Sequence, residues 1–250
     1  MIVILYIVVA LLFIVPQYLF CQDTIEADRP GETQATSTLS RKQFQVELGV
    51  QKEQQNKHDY FLQHPDASLR FGITNRIELR AHLSEETHKI YSVNEIHHGL
   101  EPVEVGLKIK LWDKEEGKFQ SSILAQIGIP SLASKVFDPG KAYHKIRLLM
   151  ENELTSKLKF GYNIGSDWNE EEHHQNWIIS CAPQLKLSDH VQVYIEEFSF
   201  LQEHSIPQHH LQGGLAYTFG KKIQLDASSG LGLNSASPDY FINAGISLRL

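Results

Sequence analysis

The sequence predicts an all-β fold, a transmembrane antiparallel β-barrel of about 12 strands in up-and-down order. Three observations predict it. Period-2 alternation of apolar and polar residues runs in segments from residue 43 to Leu250, each about the 9–11 residues that a tilted strand needs to cross a bilayer. The polar face carries charges at mid-strand, while the apolar face is almost free of them. Short turns alternate with long polar connections, the layout of outer-membrane barrels.

Composition removes the competing classes. The chain has 250 residues, 42% hydrophobic and 21% charged, with a net charge of −7. A disordered chain would be less hydrophobic, and a nucleic-acid binder would carry a basic excess. Two cysteines, Cys21 and Cys181, build no disulfide framework. Residues 1–21 hold 19 apolar residues and no charge. No later stretch approaches the ~18 uncharged apolar residues of a spanning helix, which excludes a bundle of membrane helices.

Residues 1–21 read as a signal peptide, interrupted near its end by Pro16-Gln17, with Gln22 as the new N-terminus. A single membrane anchor and a lipoprotein acylated at Cys21 are the competing readings. All three export the chain. Residues 22–42 lack periodicity and are rich in Thr, Ser, Gly and Pro, the mark of an extended arm. This arm either enters the barrel or stays outside it in the periplasm. Asp28 and Arg29 find inward partners in the first case.

The barrel then occupies 43–250. Residues 43–52 set Phe44, Val46, Leu48 and Val50 against Gln45, Glu47 and Gly49. Residues 67–74 set Leu69, Phe71 and Ile73 against Arg70, and 76–84 set Ile77, Leu79 and Ala81 against Glu78 and Arg80. Residues 102–112 set Val105, Leu107 and Ile109 against Lys108, and 119–130 set Ile123, Ala125 and Ile127 against Ser122 and Gln126. Residues 143–153 set Ile146 and Leu148 against Arg147, and 157–166 set Phe160, Tyr162 and Ile164 against Lys159 and Asn163. Residues 176–187 set Trp177 and Ile179 against Ser180 and Gln184. Residues 190–200 set Val191, Val193 and Ile195 against Glu196, after which Glu197 breaks the phase as a bulge would. Residues 209–219 set Leu211 and Leu215 against Gln212, and 221–232 set Ile223 and Leu225 against Asp226. Residues 240–250 set Ile242, Ala244, Ile246, Leu248 and Leu250 against Asn243, Gly245 and Arg249. Long polar loops are expected at 53–66 and 85–101, among others.

A soluble sandwich also alternates. Lipid imposes the sharper rule, because a charge facing it costs ~2–4 kcal/mol at the midplane. The charges here keep to one face.

Two sets of residues carry a family resemblance. Asp28-Arg29-Pro30-Gly31, then Thr33-Gln34 and Phe44 to Gly49, form one; Leu69 to Arg80 form the other. Leu107 to Lys110 and Asp239 to Gly245 extend it. In this order they resemble the family named for the MetA pathway of phenol degradation, over about residues 26 to 250. The resemblance implies an outer-membrane transporter, of a kind often found beside aromatic degradation pathways. It supplies no catalytic residues.

Glu47, Arg70, Glu78, Arg80, Lys108, Arg147, Lys159, Glu196, Asp226 and Arg249 are expected to line the lumen, either as an open pore or as pairs that close it. The last strand, with Asn243, Gly245, Leu248 and Leu250, resembles the terminal signal read by the barrel assembly machinery, with leucine in place of the usual final aromatic. His97-His98, His173-His174 and His209-His210 fall in or beside the long connections. They are weak metal candidates, since neighbours on a strand point to opposite sides; no metal or cofactor is expected. Nucleotide, hydrolase and metalloprotease motifs are absent. Ser180 and Ser199 lack a histidine on their own face in this register, and no enzyme is expected. The expected partners are outer-membrane lipid, the assembly machinery and a small solute. The leading reading is a transporter or channel for a small aromatic or hydrophobic solute. The alternative is a closed structural or adhesion barrel whose loops bind partners.

Overall fold

The computed structural model describes residues 24–113, 118–169 and 175–250. Segment 1–21, with the choice among leader, anchor and lipidated Cys21, lies outside the described residues. Among them, no helix is long and apolar enough to cross a membrane. The chain forms strands instead: β1 (Phe44–Gln54), β2 (Tyr60–Gly72), β3 (Ile77–Ile90), β4 (Glu95–Leu100), β5 (Val103–Trp112), β6 (Phe119–Ile129) and β7 (Tyr143–Glu153). β8 (Leu158–Asn169), β9 (Gln175–Lys186), β10 (Val191–Gln202), β11 (Gln208–Phe219), β12 (Ile223–Gly232) and β13 (Tyr240–Arg249) complete the set.

Every pairing is antiparallel, and β13 returns to β1, from Gln45 opposite Arg249 to Gln54 opposite Tyr240. Closure pairs every place of the ring on both sides, as lipid requires; among the described strands only β4 pairs on one side alone, with β3. β4 and β5 share one place in the ring. Both pair with β3, in registers offset by one residue: Glu85 stands opposite Leu100, but His82 stands opposite Glu104. Pro102, in the gap, has no N–H for the ladder. The ring therefore has twelve places, as the alternation predicted.

The two faces are inverted relative to a water-soluble protein. Leu79, Leu107, Ile146, Ile179, Leu215 and Ile242 point outward and are 39–50% exposed. Glu47, Arg70, Glu78, Lys108 and Glu196 point inward and are at most 1% exposed. An apolar outer wall around a polar interior is the arrangement that hydrocarbon requires.

Two expectations need correction. The loops expected at 53–66 and 85–101 are largely strand: β1 and β2 pair out to Gln54 opposite Tyr60, and β3 and β4 to Ile90 opposite Glu95. In these extensions polar residues occupy both faces, so the ladder continues while the alternation fades. The bulge expected at Glu197 is also absent. Tyr194 stands opposite Gln184 and Glu197 opposite Cys181 in one unbroken register. Register shifts fall instead at Gly49/Gln51, Gln63/Asp66 and Lys110/Trp112.

The closing seam yields a first prediction. Leu248 faces Val46, and the Leu250 N–H donates to Phe44 O at 2.8 Å. Deleting Leu248 to Leu250 uncovers backbone groups of β1, each costing several kcal/mol in lipid. Outer-membrane yield after fractionation should collapse, whereas Leu250→Phe should keep or improve it. Normal yield from the truncation would count against the seam.

A second prediction concerns orientation. Turns such as 187–190 and 220–222 lie at the short-turn end, and the long hairpin tipped by Asn94 lies at the other. A tag at Asn94 should be labelled on intact cells and a tag at Asp189 protected. The opposite pattern would invert the barrel.

Candidate functional site

The arm enters the barrel. It starts beside the β11–β12 turn, where the Ile25 N–H donates to Lys221 O at 2.9 Å. It ends beside the β2–β3 turn, where the Arg41 N–H donates to Asn75 Oδ1 at 2.9 Å. Both points belong to the short-turn end, so the arm loops up into the lumen and returns.

Its deepest charges are Asp28 and Arg29. Asp28 pairs with Arg80, and lies 3.8 Å from Arg70 and 3.5 Å from Lys108. Burial alone would raise the Asp28 carboxyl, but these three cations outweigh it and hold it well below the usual carboxylate range. Glu78 bridges Arg70 at 2.8 Å and Arg80 at 2.7 Å, and Glu47 pairs with Arg70 at 2.7 Å. Arg29 pairs with Asp66 at 2.7 Å and Asp226 at 3.6 Å, and donates to Asn243. Its guanidinium crosses Gly49 and Gly245, where any Cβ would collide with it. These glycines are there for close approach rather than for a turn.

Backbone groups of the arm are held as well. Glu47 accepts from the Asp28 N–H at 3.1 Å, and Glu196 accepts from the N–H groups of Glu32 and Thr33. Asn163 accepts from the Gln34 N–H at 2.7 Å, and Glu78 from the Leu39 N–H at 2.7 Å. Glu32 reaches Arg147 at 3.1 Å, and Glu26 reaches Lys159 at 3.2 Å. Arg249 donates to Gln45 at 2.9 Å and faces Thr24 O at 3.5 Å. Thus all ten charged candidates meet either the arm's side chains or its backbone. The alternation gave their face; their partner, the arm, carried no periodic signal at all.

Toward the long-connection end, the lumen side carries a packed aromatic cluster in which Phe198, His210 and Phe241 are buried. With no bulge at Glu197, Phe198 and Phe200 turn inward. Phe198 stacks on His210 at 4.5 Å between ring centres and meets Phe241 edge-on at 5.8 Å. Phe200 meets His210 edge-on at 5.6 Å. An adjoining cavity of about 510 Å³ is lined by Asp167, Asn176, Phe200, Gln202, Ile206 and Gln208, among others. Asp167 Oδ1 and Asn176 Oδ1 are buried without a hydrogen-bond partner among the described residues. The sequence reading left Phe198 and Phe200 unassigned, because the phase break expected at Glu197 ended the alternation before them. Phe241 was legible, since it shares a face with Asn243.

The same register puts Glu197, Ser199 and His209 on the outer wall, contrary to the expectation that Ser199 has no histidine on its face. Ser199 Oγ lies 2.7 Å from both Glu197 Oε1 and His209 Nδ1. Here the carboxylate holds the serine, not the far side of the imidazole as a nucleophile–base–carboxylate relay requires.

The other histidine candidates do not converge. His210 is inward, while its neighbour His209 is outward. His97 pairs with Glu95 at 3.0 Å, and His98 with Glu85 at 3.0 Å on the opposite face of β4. His173 and His174 lie outside the described residues. In the terminal segment, Asn243 donates to Gln51 at 3.1 Å and Gly245 stands opposite Gly49, so both also shape the arm's bed.

The family model described as "Putative MetA-pathway of phenol degradation" matches residues 27–250. The chain belongs to this family. No curated protein matches it. Among solved structures, an outer-membrane channel from Pseudomonas putida F1 is similar to this family member, with a TM-score of 0.66 at 10% identity, over 88% of this chain and 99% of that one. The KdgM porin gives a TM-score of 0.54 at 11% identity, over 81% and 98%. The NanC porin gives 0.56 at 10% identity, over 83% and 100%. At such identities the likeness is one of fold, and the fold is that of outer-membrane channels and porins.

Proposed function

We propose that this family member is an outer-membrane channel for a small aromatic or hydrophobic solute, with the arm as its constriction. One observation carries the reading: an inward cluster of aromatic rings, reached through Phe200 from a cavity at the long-connection end, adjoins a lumen filled by the arm. Phe200 presents an aromatic surface to the cavity and is backed by His210 at 5.6 Å, and a few polar groups beside such a wall are what small-molecule sites offer. Asp167 and Asn176 supply such groups. The ten charged candidates act in this reading as the arm's anchors and, where the arm parts from the wall, as the lumen lining. Asn243, Gly245, Leu248 and Leu250 serve both closure and the assembly signal.

The test is flux of a neutral monoaromatic solute into vesicles holding the folded chain. Phe198→Ala with Phe241→Ala should lower that flux several-fold and leave ion conductance unchanged, because the arm sets conductance. Absence of aromatic flux from folded barrels would overturn the reading. The filled lumen favours a second reading, a closed barrel that binds partners by its loops; that one requires neither flux nor conductance steps.

A further inference from the structure

Alternation along β3 places Ser84, Glu86 and His88 on the lumen side, near the mouth. Glu86 and His88 are two residues apart on extended chain, so their side chains leave the same face. His88 Nε2 lies 2.6 Å from Glu86 Oε2. The third member comes from the gap between β4 and β5. There the Glu101 N–H donates to Ser84 O at 2.9 Å, which turns Glu101 toward the pair. One ligand atom from each of Glu86, His88 and Glu101 lies within 4.8 Å of the others.

The surroundings suit a cation. Glu86 and Glu101 lie side by side, and among the described residues His88 is the one basic side chain within ion-pair distance of either. Ser84 Oγ, on the same face, is buried at 1% exposure and has no hydrogen-bond partner among the described residues. The ligand groups are also held in place. The His88 ring stacks on Phe61 at 4.1 Å and meets Phe137 edge-on at 4.9 Å. Gln63 donates to Glu86 Oε1 at 2.5 Å, the kind of outer-shell contact that orients a metal ligand.

We propose that Glu86, His88 and Glu101 form a site for a first-row divalent transition metal of the Zn2+ class, at the mouth of the barrel. One imidazole nitrogen and two carboxylate oxygens are a borderline donor set, suited to Zn2+ over the hard Mg2+. Bonds of about 2.0–2.2 Å place tetrahedral donors some 3–4 Å apart, which small side-chain rotations reach from the observed spacing. The fourth position is left to water. A bound ion would fasten the β3 extension to the β4–β5 gap. The site does not depend on what the lumen passes.

The test is calorimetric titration of the metal-free, folded full chain in detergent with Zn2+, and separately with Mg2+. Zn2+ should bind at one site more tightly than Mg2+. His88→Ala and Glu101→Gln should each weaken it at least tenfold or so, the scale of lost metal-site interactions. His98→Ala and His209→Ala should leave it unchanged. Glu101 lies between strands, so Glu101→Gln keeps the fold, and gel mobility before and after heating checks this for each variant. Zn2+ binding that survives both His88→Ala and Glu101→Gln, or no binding by the parent chain, overturns the proposal.

Discussion

Asp28→Asn should turn a nearly closed barrel into a conducting one. The substitution removes the one carboxylate of the arm that faces Arg70, Arg80 and Lys108 together. Those cations are at most 4% exposed, so they lose a counter-charge they cannot replace from water. Removing one partner of a buried ion pair costs on the order of 3–5 kcal/mol. The ladder from β1 to β13 does not pass through Asp28, so the loss should appear as release of the arm and not as unfolding. Planar-bilayer recording should show larger and more frequent conductance steps, with the heat-resistant folded band retained. Unchanged conductance would show that Asp28 does not hold the arm. Acid should not mimic the substitution between pH 7 and pH 5. A group whose folded pKa is depressed contributes stability that is present above its unfolded pKa, about 3.9 for Asp, and is lost only as pH falls toward the folded value.

Leu107→Arg should destabilise the barrel by ~2–4 kcal/mol if Leu107 faces the bilayer midplane. Leu107 is 39% exposed on the outer wall, between Leu79 on β3 and Ala125 on β6. Its neighbour Lys108 points the other way, fully buried. Lys108→Leu removes one of the three cations around Asp28 and leaves Arg70 and Arg80, so folding should survive while the arm loosens. The two changes are compared by the denaturant concentration at which the folded gel band is lost. Equal tolerance of both would mean that the faces of β5 are misassigned.

The difference between these two substitutions was readable in the sequence. Leu107 and Lys108 alternate because lipid and lumen make opposite demands on successive side chains, and the same holds from Val46 and Glu47 through to Leu248 and Arg249. Where lipid stops, that signal stops. The strands from Glu85 to Ile90 and from Glu95 to Leu100 pair regularly, yet polar residues occupy both of their faces and nothing in their hydrophobicity marks them. Glu197 misled for a related reason. An outward carboxylate mimics a phase break, and only its bonded neighbours Ser199 and His209 make it acceptable on the outer wall.

By itself, then, the sequence determined the ring of alternating strands, the face of each inward charge and the segment that carries no strand. These follow from local periodicity, because each strand meets lipid and lumen whatever its partner. The tertiary structure alone decided where the arm goes and which charges it meets. It also decided that Phe198, Phe200, His210 and Phe241 share one packed cluster, and that Glu101 turns toward Glu86 and His88. Those contacts join residues far apart in the chain. Asp28 and Lys108, or Arg29 and Asn243, come together only through closure and register, which no window of neighbouring residues encodes.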